Sequence, residues 1–272
     1  MKVNRFAITV EVVPPAGPDA EPILSAMEAM RDLPIDAFSV ATNPVARPRM
    51  SAMALCALLQ QRTGTKSILH CTTRDHNRLA LQGILWGAHA LGIETVLAAT
   101  GDFIALGERK STTTVRDMDV FGLIRMAKEA KMHTGVVFDS RQDAGGLKQA
   151  VHRFEKKVDA GAQFVVTQPI YDKTDAEVLI ESTRHIDIPI VMGILPLRTP
   201  HHADFLHLHV AGITVPKHLR ERMKHAGDPV AEGVSNAGEM LAVAREYFAG
   251  ACIMPPFDHY EVLFDILGNK KK

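Results

Sequence analysis

Short apolar runs rich in β-branched residues alternate along the chain with longer stretches in which apolar residues recur at three- and four-residue spacing. The short runs fall at 6–11, 36–41, 67–71, 94–100, 134–138, 163–168, 188–194 and 250–254, and each reads as a strand. Between them, 77–91 and 235–249 carry helical spacing, and Asp19, Thr174 and Asp228 stand where helix N-caps belong. Strand followed by helix, repeated about eight times, predicts an α/β protein closed as a (βα)8 TIM barrel. A doubly wound open sheet is the weaker choice, because the unit count is high and no early GxGxxG turn occurs. The seventh unit is irregular: Leu197 to Val215 holds a His-rich segment and a strand-like stretch at 211–215. A single barrel domain is expected over 1–267, with a flexible tail at 268–272.

Parallel barrel strands all release their carboxyl ends on one face, so polar residues that close strands are the first place to look for chemistry. Glu11 closes the run from Phe6 and precedes Val12, Val13, Pro14 and Pro15; Asp102 follows Thr100 and Gly101; Gln168 follows Thr167. These three are expected to converge. Gly101 leaves room for a flat ring beside the backbone, although the same turn also reads as an ordinary strand-to-helix connection. His70 reads equally as a satisfied interior imidazole or a functional one. Gln168 suits a ligand edge with both donors and acceptors, such as a pterin or carboxamide, or it satisfies loop backbone. Ala144, Gly145 and Gly146 open a helix ending near Lys156 and Lys157, a start that suits a diphosphate or simply faces solvent.

Lys and Arg number 31, as do Asp and Glu, so the chain lacks the basic excess of a nucleic-acid binder or a polybasic membrane segment. Small molecules are the expected partners. Cys56, Cys71 and Cys252 are widely spaced without a CxxC pair, which reads as buried thiols in a reducing, cytoplasmic setting. No signal-type or membrane-length apolar run occurs. No strand ends in Lys, and no GxSxG, Walker or HExxH motif is present, which turns the reading away from Schiff-base, serine-hydrolase, P-loop and zinc-protease chemistry. His201, His202, His207 and His209 lack Cys or carboxylate partners at ligand spacing, so a polar surface helix is expected there and no metal.

A series of motifs in fixed order carries a family likeness: Glu11 to Pro15, Asn43 to Arg47 with Met50 and Ser51, His70 to Asp75 with Leu79 to Gln82, and Gly87 to Gly92. It continues with Thr100-Gly101-Asp102, Lys157 to Ala162, Thr167 to Asp172, Gly193 to Pro196 and Met254 to Phe257. The chain resembles the bacterial single-domain form of 5,10-methylenetetrahydrofolate reductase. The resemblance implies FAD at the strand ends, NADH or NADPH as hydride donor, and a ping-pong reduction of methylenetetrahydrofolate in one-carbon metabolism and methionine biosynthesis, or the reverse oxidation.

It further implies that Glu11 is the general acid, that Asp102 lies between flavin and pterin, and that Gln168 contacts the stacked ligand. Thr42, His70, Thr100, Gly101, Asp102, Phe138 and Lys157 fall at flavin-binding positions, and Tyr171 and Phe257 at substrate-binding ones. Departures occur at Ala41, at Phe138-Asp139-Ser140, at Ala150 and Arg153, and at Asp258-His259. They raise one alternative, direct hydride transfer without FAD; a non-catalytic folate-binding accessory subunit on the same barrel is a second, independent one. Apolar outer helices are compatible with a homo-oligomer.

Overall fold

The computed structural model describes residues 5–104, 112–139, 145–210, 212–256 and 259–268. The strands are β1 (Ala7–Val12), β2 (Ala37–Val40), β3 (Lys66–Thr72), β4 (Thr95–Ala99), β5 (His133–Phe138), β6 (Phe164–Pro169), β7 (Ile190–Ile194) and β8 (Gly250–Ile253). The helices are α1 (Glu21–Ala29), α2 (Ala52–Thr63), α3 (Arg78–Ala90), α4 (Val120–Glu129), α5 (Gly146–Ala160), α6 (Lys173–Thr183), α7 (Pro200–His209), α8 (Lys217–His225), α9 (Pro229–Tyr247) and α10 (Val262–Leu267). The strands neighbour one another in chain order and close into a parallel barrel, the (βα)8 fold that the repeat predicts. Internal contacts group the residues into two compact units: 11–137 with 156–163, and the remainder.

In the first unit, β2, β3 and β4 pair in register through Ala37↔Lys66 to Val40↔Leu69 and Ile68↔Thr95 to Thr72↔Ala99. Every residue of β2 is buried, which explains why these strands read as continuous apolar runs instead of alternating ones. The helices start on side-chain caps: Ser51 accepts from the Ala54 amide, Asn77 from Ala80 and Asp119 from Gly122. Asp19 does not occupy the cap position of α1, which falls to Ala20. Its carboxylate nevertheless accepts from the Glu21 amide at 2.9 Å.

In the second unit, the start of β1 pairs with β8 from Ala7↔Gly250 to Val10↔Ile253, and β8 pairs with β7. The β6–β7 ladder changes register between Val166 and Pro169. Pro169 cannot donate to a ladder, and a bulge is where a strand tolerates it. Gly193 permits the close approach there, since a Cβ would lie 2.5 Å from the Thr167 carbonyl oxygen. Asp172, not Thr174, caps α6, whereas Asp228 caps α9 as expected.

The His-rich segment forms α7. His201 and His209 are exposed, but His202 is buried with Nδ1 accepting from the Arg198 amide at 3.3 Å. The strand expected at 211–215 does not form over its described residues, 212–215. Ile213 and Val215 instead bury in a cluster with Leu206, Leu219 and Met223, so the short apolar run packs as a connection between α7 and α8. A run this short has no period to tell strand from buried loop. All three cysteines are buried and free. Among the described residues, no helix is long and apolar enough to cross a membrane.

Candidate active site

Glu11 is the one residue of β1 that is not fully buried, flanked by Val10 and Val12 without exposure. Burial, and secondarily the charge of Asp102, raise its carboxyl pKa from 4.5 to about 7. An acid so tuned is half protonated near neutrality and can give up a proton there. The Glu11–Asp102 pair expected from the strand ends is thus electrostatically coupled.

Asp102 is anchored from the turn after β2. Its Oδ2 accepts the Val45 amide at 2.6 Å. That turn, Pro44–Ala46, is backbone-strained: Asn43, Val45 and Ala46 have φ of 42°, 49° and 56°. A β-branched residue such as Val45 rarely adopts a positive φ, so its neighbours must hold it there.

A residue that the strand-end reading of the sequence passed over bonds to this turn. Arg74, only 4% exposed, follows β3 and donates Nε–H and Nη2–H to the two carboxylate oxygens of Asp75 at 2.6 and 2.7 Å. It also donates to the carbonyl oxygens of Asp102 and Asn43, each at 3.0 Å. Asp75 further accepts from Asn43 Nδ2 and Thr72 Oγ1. Burial pushes the Asp75 carboxyl up, but these bonds and the Arg74 charge outweigh it and hold the group below the usual range. The available signal was the Asn43-Pro44 turn dipeptide and an Arg-Asp pair immediately after a strand.

Gly101 has φ of 89°, and the place a Cβ would take lies 3.1 Å from Arg74 Cβ and 3.3 Å from Thr72 Cβ. The residue is therefore required by this packing as well as by the turn. Thr100 lends its carbonyl to the Arg74 amide at 3.1 Å.

His70 hydrogen-bonds through Nε2 to Ser39 Oγ at 2.8 Å, and its carbonyl accepts from the Thr42 hydroxyl. Burial lowers its pKa to about 4, so the ring is neutral at pH 7 and is satisfied by Ser39. Lys157, in the last turn of α5, donates to the Val137 carbonyl at 2.6 Å, which brings its cation to the end of β5.

In the second unit, Gln168 lies at the β6 bulge, a feature that re-aims side chains. Thr167 Oγ1 donates to the Gln168 carbonyl at 2.7 Å and accepts from the Gly193 amide at 2.9 Å, locking the distortion. Gln168, Phe138, Asp175, His207 and Thr214 line a cleft of about 620 Å³. The Phe138 ring is otherwise buried, edge-on to Phe154 with centroids 5.7 Å apart. Ala150 is buried, and Arg153 donates to the Asp139 carbonyl. Tyr171 packs into the cluster below α7 and α8, with its hydroxyl buried and unpartnered among the described residues. Phe257 lies outside the described residues. Among the described residues no group of three or more His, Cys, Asp or Glu is arranged to hold a metal ion.

These observations define the class of the protein as a (βα)8 barrel that carries a carboxyl near the end of one strand, coupled to a second carboxylate in the turn after another. Comparison with known proteins gives the particular relationship. Residues 1–251 match the model for methylenetetrahydrofolate reductase, and the chain belongs to that family. It is 26% identical over 187 residues to a probable methylenetetrahydrofolate reductase (NADPH) of Caenorhabditis elegans, covering 66% of this chain and 28% of the relative. It is 25% identical over 187 residues to methylenetetrahydrofolate reductase 1 of Schizosaccharomyces pombe, covering 64% of this chain and 30% of the relative. The match thus spans under a third of each relative's length.

Among solved structures, an uncharacterized protein from Clostridium thermocellum, described as binding two copies of 5-methyl-5,6,7,8-tetrahydrofolic acid, superposes with a TM-score of 0.70. Its identity is 12%, with 97% of this chain and 94% of that one covered. A 2,3-dimethylmalate lyase superposes at 0.57 with 16% identity, covering 96% and 77%. At such identities the likeness is one of fold.

Proposed function

We propose that this protein reduces 5,10-methylenetetrahydrofolate to 5-methyltetrahydrofolate with a hydride from NADH or NADPH. The observation that carries this reading is the Glu11 carboxyl, tuned to about 7 and coupled to Asp102, in a chain of this family. Protonated Glu11 gives its proton to the folate nitrogen that leaves the methylene carbon, which opens the bridge to an iminium. The hydride then adds to that carbon and completes the methyl group. Asp102 supplies negative charge that favours the cationic iminium and keeps the Glu11 proton in place at neutral pH. Gln168 offers an amide donor and acceptor to the pterin.

FAD, when bound, would carry the hydride from nicotinamide to folate. The residues fit it in kind: a Lys157 cation suits a diphosphate, the Thr42 and Thr100 hydroxyls and the Gly101 backbone suit ring edges, and neutral His70 suits an uncharged contact. A second reading, direct hydride transfer without tight FAD, is favoured by the apolar burial of Phe138 and Ala150 and by Arg153 being turned to the Asp139 carbonyl.

The visible spectrum of the purified protein, followed by anaerobic NADH addition and then folate, tests both. Yellow colour bleached by NADH and restored by methylenetetrahydrofolate supports the first. A colourless protein that turns over without added flavin supports the second. Folate binding without turnover under either condition would leave only a folate-binding protein and overturn the reductase reading.

A further inference from the structure

We propose that Arg74 is a positioning residue: its guanidinium clamps the turn after β2 to the turn after β4, and so fixes the direction in which the Asp102 carboxylate is presented. Stoichiometry supports this. The side chain commits four hydrogen bonds, two to Asp75 and one each to the carbonyls of Asn43 and Asp102. Only a planar fork with five donors can serve a carboxylate on one side and two carbonyls on the other. Its own backbone is bound to the same region, the amide to the Thr100 carbonyl and the carbonyl to the Val115 amide.

The clamp closes around Gly101, whose missing side chain leaves the space that Arg74 and Thr72 fill. What it secures is unfavourable by itself. Val45 holds a positive φ, and the residue is 70% exposed, so its burial cannot be what keeps the turn in place. The hydrogen bond from the Val45 amide to the Asp102 carboxylate needs both turns held, and Arg74 bonds to both.

The catalytic consequence rests on the reductase reading, but the clamp itself can be tested without turnover. In the full-length protein, site-resolved amide exchange compares the wild type with Arg74→Lys, which keeps the charge but not the fork. Loss of one charge-assisted hydrogen bond predicts Val45 exchange faster by about ten- to a hundredfold, with the amides of β3 and β4 unchanged. Asp102→Asn, which weakens the same bond from the other side, is expected to accelerate Val45 in the same way. In the reductase assay, Arg74→Lys is expected to lower kcat by about tenfold with little change in KM for nicotinamide, and to add less than about twofold to Asp102→Asn. Unchanged Val45 exchange, or acceleration shared equally by the strand amides, would overturn the clamp. Lost protection with full kcat would overturn its link to turnover. A wild type without turnover would sink the reductase reading and leave the clamp to be decided by exchange alone.

Discussion

Replacing Glu11 by Gln keeps shape and hydrogen-bonding capacity while removing the titration, and its effect on stability follows from the raised pKa. The folded-state value is about 7 against an ordinary 4.5. A carboxyl whose folded pKa is raised contributes stability that is fully present below the unfolded value. That stability is lost as pH rises through the folded value, because the unfolded chain can ionise the group and the folded one resists. Wild type should therefore weaken relative to Glu11→Gln between about pH 5 and about pH 8, by about 2.5 kcal/mol. This is an upper figure, since the side chain retains partial exposure. Urea unfolding of both proteins at the two pH values measures it. A difference that stays constant across this range would refute the tuned acid, whatever the variant does to turnover. On the reductase reading, the same substitution should lower turnover by about a hundredfold or more.

Asp102→Asn removes the lesser of the two causes that raise the Glu11 pKa, so the acidic group in the pH profile of turnover should shift down without reaching an ordinary value. Ser39→Ala leaves the half-buried His70 ring without this partner and should cost about 1 kcal/mol in urea unfolding. His70 itself, depressed from 6.5 to about 4, contributes stability that is lost as pH falls through that window; a His70→Asn protein should show a shallower acid transition by circular dichroism. Gly193→Ala drives a Cβ to 2.5 Å from the Thr167 carbonyl oxygen and should cost about 1–3 kcal/mol. It should also raise KM for folate if Gln168 depends on the bulge.

How much of this was legible in the sequence depends on which physical rule governed each residue. The eight strands were legible because each is short, β-branched and bounded by helical spacing, and their observed limits lie within two residues of those read. The strand at 211–215 was misread because burial, not alternation, made Ile213 and Val215 apolar, and a loop buried beneath two helices carries the same composition. The cap at Asp172 was placed two residues late because Asp172 and Thr174 are both good caps, and only backbone geometry chooses between them.

At the site, Glu11 and Asp102 stood out as charges that end apolar runs. Arg74 and Asp75 did not, because an oppositely charged neighbour pair reads as a solvated ion pair, and nothing in one dimension says that it is buried. The rule that finds strand-end chemistry looks for a lone charge against an apolar background. A compensated charge is invisible to it, although a buried and compensated Arg is well suited to holding a lone carboxylate in place. The Gly101 turn makes the same point from the backbone. Read alone, it offered an opening for a flat ligand; in three dimensions Arg74 and Thr72 pack where its Cβ would stand, and the glycine marks the group that the charge pattern concealed.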